Sequence, residues 1–289
     1  MIVELSLLLS LTVLTLWTFS NTIIKKVSTS LGTYRTSSIV VGFGIFPMII
    51  AILIEKPIFH YSSFLLLSLA SGLMLGIGYI LFYKALEKEN VSSAGVMINL
   101  QQIIVISIGI LFLKESSGLF TYIGITLIIM GALLVSLNGN VKINKVLLLA
   151  AAANISWGLY YIPLSEAIFA VHFSTTPLLL ARIVGFFIIT VIFFPKIMVT
   201  RKSTVVEKPN VYRSLLALGI LSGLLDGSGN VIYASAISGD FIVLAGSIVA
   251  ILPATIAISG VLFFRERLAP IQIFGILLAI AGALVISLF

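Results

Sequence analysis

Ten apolar runs, each about 20 residues long, fill this chain from residue 3 to residue 288 and leave only short connections between them. At about 1.5 Å of helical rise per residue, a run of that length crosses the roughly 30 Å hydrocarbon layer of a bilayer. The predicted helices lie at 3–24, 36–54, 62–86, 91–113, 117–137, 146–165, 175–195, 213–237, 242–264 and 269–288, called spans 1 to 10 below. The expected fold is all-α and integral to the lipid bilayer, with no room for a separate soluble domain. Composition agrees, because 60% of the 289 residues are hydrophobic and only 9% are charged, against about 25% charged in soluble domains. Span 1 carries Glu4 in place of a basic leader and ends at Lys25-Lys26 without a small-residue cleavage pattern. It reads as a span, not as a cleaved signal.

The net charge of +7 comes from 17 Lys and Arg against 10 acids. These cations are spread over the loops and form no stripe, so nucleic acid is not an expected partner. The loops after spans 1, 3, 5, 7 and 9 hold 14 of the 17, from Lys25, Lys26 and Arg35 to Arg265 and Arg267. The opposite side holds Lys56 and Lys114, and Arg182 lies inside span 7. By the positive-inside rule the odd-numbered loops are cytoplasmic, both termini lie outside, and the expected location is the plasma (cytoplasmic) membrane.

Shifted by 151 positions, residues 72–137 lie on 223–288 without a gap, and 20 of the 66 positions are identical. Seven glycines keep this register, from Gly72 on Gly223 to Gly131 on Gly282. Earlier in each half the correspondence continues at shorter offsets: Trp17 with Trp157, Arg35 with Arg182, Pro47 with Pro195. The chain therefore divides into a first five-span repeat, 1–140, and a second, 141–289. Five is odd, so the second copy enters the membrane in the opposite sense. Two inverted repeats around a central cavity is the geometry of alternating access.

Polar side chains inside a bilayer cost a few kcal/mol unless partnered, so their placement is informative. They fall in stripes at intervals of three or four residues: Trp17 and Asn21 on span 1, Tyr79 and Tyr83 on span 3, Asn99 and Gln102 on span 4. The second half adds Asn154, Trp157 and Tyr161 on span 6, then Asp226, Asn230 and Tyr233 on span 8. Such spacing keeps each set on one helical face. Spans 1, 3, 4, 6, 8 and 9 are expected around a cavity, with the aliphatic spans 5 and 10 outside. The plainer reading makes the aromatics interfacial belts and the amides interhelical hydrogen bonds.

Asp226 is the one carboxylate near mid-membrane, and its repeat counterpart is Leu75. It is expected to bind a substrate amino group or to carry a coupling proton or sodium ion. Arg182 sits at comparable depth, so the two also form a candidate charge pair. Pro253, the counterpart of Gln102, bends its helix and is a candidate hinge. His60 and His172 stand alone in loops, no metal cluster is apparent, and the glycines lie inside apolar helices, so neither an enzyme nor a bound cofactor is expected.

Trp17 and Asn21 spaced as Trp-x3-Asn, the Trp157-Gly158 pair, and Glu-x8-Gly-x6-Gly-Ala at the end of each half carry a family resemblance. The last motif is Glu115, Gly124, Gly131 and Ala132, then Glu266, Gly275, Gly282 and Ala283. On these residues the chain resembles the EamA-type branch of the drug/metabolite transporter superfamily. The resemblance implies a ten-helix basket, a cavity lined by spans 1, 3, 4, 6, 8 and 9, and carriage of amino acids, related metabolites or other small polar solutes. It also implies cytoplasmic termini, where the charge count places them outside.

The reading is a secondary transporter of a small polar organic metabolite. Trp17, Trp157 and Tyr161, with Tyr79, would contact its apolar or cationic part, since aromatic faces attract cations by ~0.5–2 kcal/mol. Asn21, Gln102, Asn154 and Asn230 would supply orienting hydrogen bonds. A passive pore and a non-transporting membrane partner are the alternatives, and the protein is expected as a monomer or homodimer.

Overall fold

The computed structural model describes residues 2–55, 64–86, 101–111, 118–136, 145–171, 175–199, 209–237, 242–265 and 267–288. Every regular element among them is a helix. Asn99, Gly95, Phe112, Glu115, Glu266, His60 and His172 lie outside the described residues, as do the loop cations Lys56, Lys88, Lys114, Lys142, Arg201, Lys202 and Lys208.

Span 1 is α1 (Ile2–Leu31), and span 2 is α2 (Thr33–Phe43) followed by α3 (Ile45–Glu55). Span 3 is α4 (Phe64–Leu86), span 4 contributes α5 (Gln101–Leu111), and span 5 is α6 (Leu119–Ser136). The second half holds α7 (Lys145–Val171), α8 (Thr175–Val199), α9 (Pro209–Ile237), α10 (Ile242–Val249), α11 (Leu252–Phe264) and α12 (Pro270–Leu288). Among the described residues, six apolar helical stretches are long enough to cross a membrane, and α6 and α12 are shorter apolar helices. The outer surface is apolar, with side chains such as Leu66, Leu262 and Ile54 largely exposed. Such a surface is stable against lipid and unstable against water, so this is a multi-pass membrane protein.

Several boundaries differ from the expected ones, span 6 running on to Val171, span 7 to Val199 and span 8 starting at Pro209. α1 runs on past residue 24 to Leu31, where Gly32 adopts φ 84°. Only glycine takes that left-handed turn without strain, and it ends the helix. Span 2 is divided at Gly44, and span 9 at Ala250 and Ile251, so two expected continuous helices are each two pieces.

Close helix approaches are made at glycines, where no side chain holds the backbones apart. A Cβ on Gly124 would come within 2.7 Å of the Gly282 carbonyl oxygen, and one on Gly131 within 2.5 Å of the Gly275 oxygen. One number falls as the other rises, so α6 and α12 run antiparallel and bury their small residues on each other. Likewise Gly42 meets Phe186 while Gly44 meets Arg182, so α2 and α3 run antiparallel to α8.

Other contacts are parallel. Gly72 and Gly76 of α4 rest on Val184 and Ile188 of α8, while Gly223 and Gly227 of α9 rest on Val40 and Gly44. The two sets exchange when 151 is taken from α9 and 144 is added to α2. That register makes Ser38, not Arg35, the counterpart of Arg182. The correction is three residues, nearly one helical turn, over which apolar helices look alike. Hydroxyl pairs join α1 to its neighbours: Thr18 to Thr255 at 2.6 Å, Thr22 to Ser259 at 2.7 Å, and Ser20 to Ser222 at 3.0 Å.

Candidate functional site

The two tryptophans set the walls of a central cavity. Trp17 lies with its indole nitrogen 2.5 Å from where a Cβ on Gly229 would sit, and Trp157 takes the same place against Gly78. Positions 17 and 157, and 229 and 78, are repeat counterparts, so one packing device is used twice. A bulky ring seats against helix backbone only where the facing residue has no side chain.

Between these indoles is a cavity of about 90 Å³, several times the ~10–15 Å³ that one water needs. Ten of its fifteen lining residues form five repeat-related pairs. These are Trp17 and Trp157, Asn21 and Tyr161, Leu75 and Asp226, Tyr79 and Asn230, and Gln101 and Leu252. The other five, Ile24, Val40, Phe82, Tyr83 and Tyr160, lack a lining counterpart. Ile24, Phe82 and Tyr83 lie on α1 and α4 beyond Asn21 and Tyr79, toward the helix ends that carry Lys25 and Lys84. The cavity therefore leans to that end.

Asp226 gives the cavity its one carboxylate among the described lining residues. Its Oδ2 accepts from Arg182 Nη2 at 2.5 Å and faces Asn230 Nδ2 at 3.5 Å. Its backbone oxygen accepts from the Trp17 indole at 3.3 Å and from Asn230 Nδ2 at 2.7 Å. Arg182 is 1% exposed and does not line the cavity. Its guanidinium donates to Tyr79 Oη at 2.8 Å, to Val41 O at 3.2 Å and to Val40 O at 3.4 Å. Val40 and Val41 stand in the last turn of α2, where the helix dipole is negative, and the Val40 oxygen also accepts from Gly44 N–H at 3.0 Å. These carbonyls at the end of α2 give the buried cation its backbone acceptors. Gly44 leaves the room, since a Cβ there would fall 2.3 Å from Arg182 Nη2.

Seven of the residues chosen from sequence line the cavity: Trp17, Asn21, Tyr79, Trp157, Tyr161, Asp226 and Asn230. Four do not. Gln102 is fully buried and accepts from Tyr233 Oη at 3.0 Å, so its neighbour Gln101 is the lining glutamine. One residue turns a helix by about 100°, enough to swap the two. Asn154 lies behind Gln101, accepting from its backbone N–H at 3.1 Å and donating to Ala150 O at 2.8 Å. Arg182 stands behind Asp226 as described. Pro253 is buried in the first turn of α11, where a missing N–H breaks no helical bond, so the bend lies just before it. The cavity also takes Val40 from span 2, which the stripes had left out because an aliphatic residue offering its carbonyl leaves no polar mark in a sequence.

The EamA-like transporter family model matches residues 4–137 and again 144–288. The chain belongs to the EamA-like transporter family. Its members are transporters, which places this protein among membrane transporters of small solutes. A search of solved structures returns 29 matching chains. One, a crystal structure of a protein, superimposes with a TM-score of 0.69 over 98% of this chain and 96% of its own, at 16% identity. At that identity it speaks for the fold of this EamA-like chain alone. No curated protein matches it.

Proposed function

We propose that this protein is a secondary transporter of small polar organic solutes, chiefly amino acids or related amines, working by alternating access. In this reading the ten spans form two five-span halves, 1–140 and 141–289, inserted in opposite senses around one central site. The observation that carries it is the cavity's make-up: five pairs of repeat-related residues, reached from helices of both halves. Antiparallel packing of α6 with α12, and of α2 and α3 with α8, supports the inversion. So do the paired contacts that exchange under the repeat.

The site then opens first to one end and then to the other as the halves trade packing arrangements, and the form described here leans to the Lys25 and Lys84 end. The charge bias makes that end cytoplasmic, with both termini outside the plasma membrane. Asp226 is the group that would carry a coupling proton or sodium ion, since it is a mid-membrane carboxylate that faces the cavity while paired with Arg182.

The test is solute counterflow in liposomes containing the purified protein. A carrier shows saturation and accelerated exchange when solute is loaded on the far side. Linear, unsaturated flux without counterflow identifies a passive pore and overturns the proposal.

A further inference from the structure

The cavity's charges are placed so that only one of them can be touched from within. Arg182 is held on four sides by Asp226, Tyr79 and the Val40 and Val41 carbonyls, and it does not line the cavity. Asp226 lines it, with its side chain 19% exposed. Its Oδ2 is taken by Arg182 and Asn230, while Oδ1 has no partner among the described residues. Among the described lining residues there is no Lys, Arg or His.

From this we infer that the site selects a protonated primary amine that carries no carboxylate, bound by N–H donation to Asp226 Oδ1 with its apolar body between Trp17 and Trp157. The inference rests on the transporter reading and narrows its solute class. Three features argue for it. Oδ1 is an acceptor that wants an N–H, and a charged donor makes the stronger bond. The indole and phenol faces around it favour a cation over an anion. An α-amino acid would bring its own carboxylate to within one carbon of the bound ammonium. That second anion would sit beside Asp226, with Arg182 out of reach and no other cation on the wall. Asn230 directs its amide N–H groups at Asp226 O and Oδ2, and Asn21 gives one of its two to Trp17 O, which leaves the wall neutral donors but no cation to balance that anion. A quaternary ammonium keeps the charge but has no N–H to give.

Both tryptophans of the chain line the cavity, so intrinsic fluorescence reads the site directly. Purified protein is titrated with isopentylamine and phenethylamine, with leucine and phenylalanine, which add only a carboxylate, and with the N-trimethyl form of each amine. Melting temperature serves as the second readout. The expected result is saturable binding of the amines, at least tenfold weaker binding of the amino acids, and at least threefold weaker binding of the trimethyl forms. Asp226→Asn should erase the preference for amines, and because the ligand series is run on the unaltered protein, a poorly folding variant does not remove the test. Amino acids binding as tightly as the amines, trimethyl forms binding equally well, or silence in both readouts would each overturn the inference. Counterflow on the same panel separates the two readings. If leucine binds and exchanges while the amines do neither, a transporter stands and the amine site falls. If amines bind and nothing exchanges, the amine site stands and the transporter falls.

Discussion

Leu75 and Asp226 occupy repeat-related places on α4 and α9, and both line the same cavity, yet one is inert and the other holds a buried arginine. The surroundings of the two differ less than the residues do. Each helix rests its glycines on a partner helix, each faces a tryptophan from the opposite half, and each partner is in register with its counterpart. Duplication has thus preserved the packing surfaces, which must fit in both halves, and left the cavity wall free to diverge. Shape is shared between the halves, while the cavity's carboxylate among the described lining residues comes from one of them.

The largest effect should come from removing the arginine. Arg182→Ala leaves Asp226 charged and unpaired in an apolar setting, a loss of about 3–5 kcal/mol, seen as a marked fall in melting temperature. The double variant Arg182→Met with Asp226→Leu, which gives the second half the first half's Leu75, should recover most of that stability while losing amine binding. If it stays as unstable as the single variant, the charge pair does more than neutralise itself.

Glycine contacts test the shared packing next. A Cβ on Gly227 would fall 2.2 Å from the Gly44 carbonyl oxygen, whereas on Gly76 it would meet the Ile188 side chain at 3.0 Å. The overlap with backbone is far deeper than the 3.0–3.1 Å contacts with Ile188 Cδ1, Cβ and Cγ2, which a few tenths of an ångström relieve, so Gly227→Ala should destabilise by about 1–3 kcal/mol and Gly76→Ala by clearly less. Equal losses in detergent melting would show the two contacts to be the same.

Tyr233 is the repeat counterpart of Phe82, and Tyr233→Phe makes the halves alike at that position. It strands the buried Gln102 oxygen, so a loss of about 1–2 kcal/mol in melting experiments is expected. The smallest difference is between the tryptophans. Trp17 donates to Asp226 O, while the Trp157 indole nitrogen has no partner among the described residues. Trp17→Phe should therefore cost about 0.5–1.5 kcal/mol more than Trp157→Phe, and a reversed order would argue that the hydrogen bond contributes nothing.

Much of the cavity lining was readable in the stripes. Trp17, Asn21, Tyr79, Trp157, Tyr161, Asp226 and Asn230 were marked by polar or aromatic chemistry recurring at helical spacing, and all line the cavity. The misses share a cause, which is that spacing locates a stripe to within a residue or so. Gln101 and Gln102 are equally good on spacing, and what orients them is the Asn154 side chain holding the Gln101 backbone from another helix. The α2 carbonyls that hold Arg182 belong to two valines and were invisible. Pro253 signalled a bend one turn back, and the break at Ala250 and Ile251 falls there, because proline has no N–H to give the Val249 carbonyl.

Sequence by itself determined that the chain is helical, lives in lipid and is built twice, because apolar run length and an ungapped register of glycines depend on local pattern and not on long-range folding. Only tertiary structure decided which face of each helix looks inward, that the end of α2 presents backbone oxygens to Arg182, and that Asp226 offers one oxygen to its partner and one to the cavity. Those outcomes turn on rotations and offsets of a single residue between helices far apart in the chain, and a difference of that size leaves the hydrophobic pattern of either helix unchanged.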